Sequence, residues 1–187
     1  MIERSMKYEC YKDLPHYTGN KFKDELMVNA KKLATPGKGI LASDESTGTI
    51  GNRFKQIDVE NTHENRIAYR ELLFTTPKLE DHISGAIIYD ETARDKGSDG
   101  KDLIQHLKDK DILIGLKVDT GMTIIEGTND ESATTGLDGL GDRCKEYYEM
   151  GTRFAKWRAV VKIGDGCPSD VSIKETAHSL ARYGNIC

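Results

Sequence analysis

No run in this chain reaches the ~20 consecutive apolar residues that cross a bilayer. The N-terminal stretch MIERSMKYECYKDLPHY also has no apolar centre of the signal-peptide kind. A cytoplasmic chain without membrane insertion is therefore expected. An excess of positive charge is missing too: 27 Lys and Arg stand against 31 Asp and Glu, a formal net charge of -4 at pH 7. That balance excludes the basic footprint of a nucleic-acid binder. Cysteine is sparse, and Cys10, Cys144, Cys167 and Cys187 form no CxxC pair, so a zinc knuckle or thioredoxin-type centre is not expected and the thiols are read as reduced. His16, His63, His82, His106 and His178 are scattered without HExxH spacing, and neither a metal nor a cofactor is expected. No apolar run is followed by GxGxxG or by a P-loop, which weakens nucleotide-binding folds.

What is present is an alternation of helical and strand signals from residue 21 onward. Phe22, Leu26, Ala30, Leu33 and Ala34 recur at helical spacing until Pro36-Gly37 interrupts them. Short apolar runs then appear at Ile40–Ser43, Ile83–Tyr89 and Ile112–Val118, and a fourth strand is predicted over Phe154–Ile163. Helical spacing lies between them: Ile50, Phe54 and Ile57; then Ala68, Leu72 and Leu73; then Leu103, Ile104 and Leu107; then Leu137, Leu140, Cys144 and Tyr148. A polar stretch over 127–135 is too long for a simple turn. Pro168-Ser169-Asp170 opens a final helix on which Ile173, Ala177, Leu180 and Ala181 share one face. Strands apolar along their length and alternating with helices argue for parallel βαβ units, in either a doubly wound sheet or part of a (β/α)8 barrel.

In either architecture, chemistry collects at strand C-terminal ends. Asp44 follows the first strand, Asp90 and Glu91 the second, and Lys117 and Asp119 end the third. Lys156 and Arg158 fall inside the fourth and, by alternation, share a face. Two cations within a strand either line a solvated edge or face an acidic partner or a ligand anion. Such a cluster suits a phosphorylated ligand, with Arg158 as a fork and the lysines as point charges. Lys117 and Lys156 are both candidates for carbonyl chemistry; alternatively each simply neutralises Asp44 or Asp119.

Five long segments make the residues recognisable: KGILASDESTGTIGNRF at 38–54, ENTHENRIAYRELLF at 60–74, GLKVDTG at 115–121, GLDGLGDRC at 136–144 and FAKWRAVVKIG at 154–164. Together they resemble class I fructose-bisphosphate aldolase, in the order of that family and over the chain after about residue 15. The resemblance implies a (β/α)8 TIM barrel, of which residues 21–187 carry the first four βα units and residues 1–20 are an N-terminal extension. It implies metal-free, Schiff-base retro-aldol cleavage of fructose bisphosphate to dihydroxyacetone phosphate and glyceraldehyde 3-phosphate. Asp44 is then the acid that orients the reacting centre, Lys156 the proton-transfer lysine and Lys117 a substrate-contacting cation. Ser46, Thr49 and Arg53 match phosphate contacts, and Arg66 and Arg158 match two further substrate-binding arginines.

Departures accompany the match. Thr49 stands where many members carry serine, which keeps the hydroxyl, and Asn52 where many carry lysine, which removes a cation near the phosphate. The Schiff-base lysine of the family lies on a sixth strand, beyond the four seen here. Four strands of eight would leave two exposed sheet edges and an uncovered apolar face, so the chain is read as one part of a whole enzyme. As partners, the resemblance implies a phosphorylated sugar, a homo-oligomer, commonly a tetramer, and binding of actin or acidic peptide tails. A non-catalytic phosphosugar-binding or scaffold role is the alternative.

Overall fold

The structure, a computed structural model, describes residues 21–187; the expected N-terminal extension lies outside them. Helix α1 (Lys23–Leu33) ends where Ala34 to Gly37 turn the chain into β1 (Gly39–Ser43). Ser46 caps α2 (Thr47–Phe54) and Thr62 caps α3 (His63–Phe74), each accepting the N–H three residues on. A short α4 (Leu79–His82) leads into β2 (Ile83–Ile88), followed by α5 (Asp90–Arg94), α6 (Leu103–Asp109) and β3 (Leu113–Lys117). The hairpin of β4 (Gly121–Ile124) and β5 (Ser132–Thr135) precedes α7 (Leu140–Met150), β6 (Phe154–Lys156) and α8 (Asp170–Ile186).

The strands β1, β2, β3 and β6 form one sheet in that order, every neighbouring pair parallel. Each crossover runs through helices that cover one face of this sheet, the outer one. There Ala86, Ile88, Ile114 and Leu116 pack with Phe74, Leu103, Leu107, Leu140 and Tyr147 into the core. Alternation turns Ile40, Gly85, Ile87, Gly115, Lys117, Phe154 and Lys156 to the inner face. That face is less covered: Ile40 is 46% exposed. Two glycines there are dictated by close approach. A Cβ on Gly115 would lie 2.1 Å from the Phe154 ring, and one on Gly85 2.4 Å from the Leu33 side chain.

The first three strands fall within a residue or two of their expected ranges. The fourth is corrected: only Phe154–Lys156 pairs with β3, and the chain then leaves the sheet. β3 ends at Lys117 and its continuation turns into the β4–β5 hairpin, so β-branched residues beyond Lys156 have no ladder to join. Val161 is exposed and Ile163 is 86% exposed. The polar stretch expected over 127–135 contains the turn of this hairpin and β5, whose Ser and Thr residues carry little apolar signal.

On α8 the apolar stripe also faces the other way from what helical spacing suggests. Ile173, Ala177, Leu180 and Ala181 are exposed, while Ser172, Ser179, Tyr183 and Ile186 turn inward. Its orientation is set by polar anchors. The buried Glu131 accepts the Ser169 N–H at 2.9 Å, Ser169 caps the helix, and Tyr183 stacks on Trp157 with ring centroids 5.2 Å apart.

Candidate active site

The C-terminal ends of the four parallel strands open on a cleft of about 690 Å³. Asp44 sits one residue past β1, Tyr89 and Asp90 just past β2, Lys117 at the last position of β3 and Lys156 at the last position of β6. The sheet register sets Lys117 directly beside Lys156. Like charges on facing positions repel, and each lysine has its own carboxylate. Lys156 Nζ donates to Asp44 Oδ2 at 2.7 Å, and Lys117 Nζ donates to Asp119 Oδ1 at 2.7 Å and to the Asp119 carbonyl at 3.0 Å.

The result is a row of charge across the mouth, Asp44, Lys156, Lys117, Asp119, with the two lysines side by side and a carboxylate at each end. It spans three strands and 112 residues of sequence between Asp44 and Lys156. Both pairs are partly enclosed, with side-chain exposures of 32% and 13% for Lys156 and Asp44 and of 16% and 4% for Lys117 and Asp119. Ion pairs in such a setting interact more strongly than exposed ones and hold their geometry. Asp119 Oδ2 is buried and has no hydrogen-bond partner among the described residues, leaving one strong acceptor unused.

Beside this row stands the N-terminus of α2. Ser46 Oγ accepts the Thr49 N–H at 3.4 Å and lies 3.0 Å from Thr49 Oγ1. Two hydroxyls and the unpaired N–H groups of the first turn make this end suited to an anion. Arg53, one turn on, also lines the cleft; its guanidinium donates to Glu45, whose carboxylate is shared with the buried Arg70. Arg158 lines the cleft from the loop after β6, with its carbonyl fixed by the Thr134 hydroxyl at 2.6 Å.

Of the residues singled out from sequence, Asp44, Ser46, Thr49, Arg53, Lys117, Lys156 and Arg158 line this cleft. Arg66 is not among the lining residues. Its fork is closed on Glu91 through two bonds of 2.8 Å and on Asn61 Oδ1 at 3.1 Å, and it holds the Glu91 carboxyl below the usual range. Four lining residues carry signals that sequence reading did not single out: Glu45, Tyr89, Arg143 and Tyr147. Glu45 and Arg143 lie inside the LASDES and GLGDRC segments. Arg143 donates to the carbonyls of Val118 at 3.0 Å and Gly136 at 2.6 Å, pinning the two ends of the segment that carries the hairpin. Tyr147 has its phenol pushed up by burial and by the Asp90 carboxylate.

Comparison with known proteins places this arrangement. The model of the glycolytic, class-I fructose-bisphosphate aldolase family matches residues 25–187. Fructose-bisphosphate aldolase 6, cytosolic, of Arabidopsis thaliana is 58% identical over 168 residues, which is 90% of this chain and 47% of that protein. A fructose-bisphosphate aldolase of Dictyostelium discoideum is 56% identical over 171 residues, 90% of this chain and 48% of that protein. The solved aldolase of Plasmodium falciparum, in a ternary co-crystal with TRAP and a small-molecule inhibitor, superposes with a TM-score of 0.88 at 51% identity. It covers 90% of this chain and 49% of that one. The chain thus spans about half the length of the relatives it matches, and its four parallel strands are the first half of their (β/α)8 barrel. A family match over nearly every described residue, joined to a shared fold at half identity, shows that the chain belongs to the class-I fructose-bisphosphate aldolase family.

Proposed function

We propose that residues 21–187 supply the acid–base and anion-binding half of an aldolase site. The whole protein is then a cytoplasmic, homo-oligomeric lyase that cleaves fructose bisphosphate to dihydroxyacetone phosphate and glyceraldehyde 3-phosphate in glycolysis. The observation that carries this reading is the in-register pair Lys117 and Lys156, each neutralised by its own carboxylate at the end of a barrel strand.

Retro-aldol cleavage takes a proton from a substrate hydroxyl, breaks the adjacent carbon–carbon bond and needs positive charge where negative charge develops. Lys156 fits the second need, positive charge and a proton to give, because Asp44 fixes its ammonium at 2.7 Å and the pair lines the cleft. Asp44 orients Lys156 and the reacting centre. Lys117 and Arg158 present positive charge to the phosphorylated sugar, while Ser46, Thr49 and Arg53 form the phosphate end at the N-terminus of α2. The Schiff-base nucleophile belongs to a later strand of the barrel, and neither Lys117 nor Lys156 takes that role.

In the full-length protein, Lys156→Ala should lower kcat for fructose bisphosphate cleavage by ~100-fold or more. Cleavage left intact by this substitution overturns the assignment. A second reading is a non-catalytic scaffold that takes actin or an acidic peptide in the same cleft. It draws on the exposed cations Arg53 and Arg158 at the cleft wall. A full-length protein that binds such a peptide and shows no cleavage would favour it.

A further inference from the structure

On the opposite side of β6 from the cleft, Cys144 of α7 and Cys187, the C-cap of α8, bring their sulfurs to 3.7 Å across 43 residues of sequence. We propose that these two thiols are a modification site, a dithiol that low-molecular-weight disulfides such as oxidised glutathione convert into an intramolecular Cys144–Cys187 disulfide.

Three structural features support it. The sulfurs need to close only from 3.7 Å to the ~2 Å of a disulfide bond. Both positions are held: Cys144 lies inside a regular helix and packs against the core, and the Cys187 N–H donates to the Tyr183 carbonyl at 3.0 Å. A route of approach exists as well, since both cysteines line a cavity of about 110 Å³ beside Leu116 and Tyr148.

The two thiols are also unlike each other. The Cys187 thiol and, more weakly, Arg143 lower Cys144 to about 7, so a large share of it is thiolate at neutral pH. Cys187 is pushed up, first by its hydrogen bond with Cys144 and then by burial, and stays protonated as the donor. This asymmetry sets the order of the exchange. The Cys144 thiolate attacks one sulfur of the disulfide RSSR, forming Cys144–S–SR and releasing RS⁻. Cys187 then loses its proton to solvent and its sulfur attacks the Cys144 sulfur, releasing the second RS⁻. The protein dithiol is oxidised by two electrons, and RSSR is reduced to two thiols.

Closure would reach the catalytic strand through one turn of helix. Tyr183, four residues before Cys187, donates its hydroxyl to the Ala155 carbonyl at 2.9 Å and stacks on Trp157. Ala155 and Trp157 flank Lys156.

The test is treatment of the native full-length protein with oxidised glutathione, followed by intact mass and peptide mapping without reductant. The expected product has lost two hydrogens, carries no glutathione, yields a linked Cys144–Cys187 peptide and reverts with dithiothreitol. In Cys187→Ala the exchange should stop at a mixed disulfide on Cys144, and the pH midpoint of Cys144 alkylation should rise from about 7 as its hydrogen-bond donor is lost. In Cys144→Ser no rapid adduct should form at Cys187. A wild-type protein that stays fully reduced, stops at a mixed disulfide, or links Cys144 or Cys187 to any other cysteine overturns the proposal.

Discussion

The two faces of the parallel sheet divide the work of this molecule. Ala86, Ile88, Ile114 and Leu116 point outward under α3, α6 and α7 and are essentially inaccessible. One residue away along the same strands, Ile87 and Leu113 point inward with part of their surface open, and the inner rows end in Lys117 and Lys156. Stability is concentrated where apolar side chains meet helices, whereas charge stands where no helix covers the sheet. Desolvation explains the division, because a lysine on the outer face would meet Leu103 or Leu107 and no carboxylate.

The largest effect that sharpens this contrast is expected on the outer side. Phe74→Ala removes a fully buried ring from the helix–sheet core and should cost ~3–5 kcal/mol in denaturant unfolding of the full-length protein. The assigned role of Lys117 and Lys156 should survive, so that folded Phe74→Ala still turns over substrate. Gly115→Ala probes the inner side. Its new methyl would sit 2.1 Å from the Phe154 ring, for a loss of ~1–3 kcal/mol from overpacking. Because Phe154 begins the strand that ends in Lys156, catalysis should fall along with stability, and Phe154→Leu in the same molecule should restore part of both. Equal activity in Gly115→Ala and wild type would separate the inner packing from the site.

The smallest effect concerns Arg66 and Glu91, outside both the core and the cleft lining. The Arg66 fork lowers the Glu91 carboxyl in the folded state. A depressed carboxyl stabilises above its unfolded value of about 4.3 and loses that contribution as pH falls through the lower folded value. Glu91→Gln should therefore be less stable than wild type at pH 7 by up to ~1 kcal/mol, the pair being partly solvated. The gap should shrink in thermal melts as the pH drops below about 4. A gap that does not change with pH would show that the ion pair does not contribute to stability.

Much of this was legible in the sequence for a physical reason: buried parallel strands are apolar runs, and Ile40–Ser43, Ile83–Tyr89 and Ile112–Val118 announce themselves without reference to partners. Where partners decide, composition misleads. Val160, Val161 and Ile163 have strand chemistry and no strand to pair with, while Ser132–Thr135 has weak strand chemistry and a hairpin partner in Gly121–Ile124. On α8 the apolar stripe loses to a serine cap, a buried glutamate and a tyrosine stack. The site divides in the same way. Asp44, Lys117 and Lys156 can be read from strand ends, and Lys117 with Asp119 from a spacing of two. The Lys156–Asp44 pair can be drawn only once register is known, and Arg143 acts through carbonyls, which leave no mark on the sequence.

On the proposed reading, this half of the barrel provides the proton-transfer lysine and its acid while the covalent nucleophile lies elsewhere in the protein. Borohydride reduction of the full-length protein with dihydroxyacetone phosphate, followed by peptide mapping, tests it directly. The expected result is one reduced adduct on a lysine outside residues 1–187, with Lys117 and Lys156 unmodified. An adduct on Lys117 or Lys156, or no adduct at all, would contradict it.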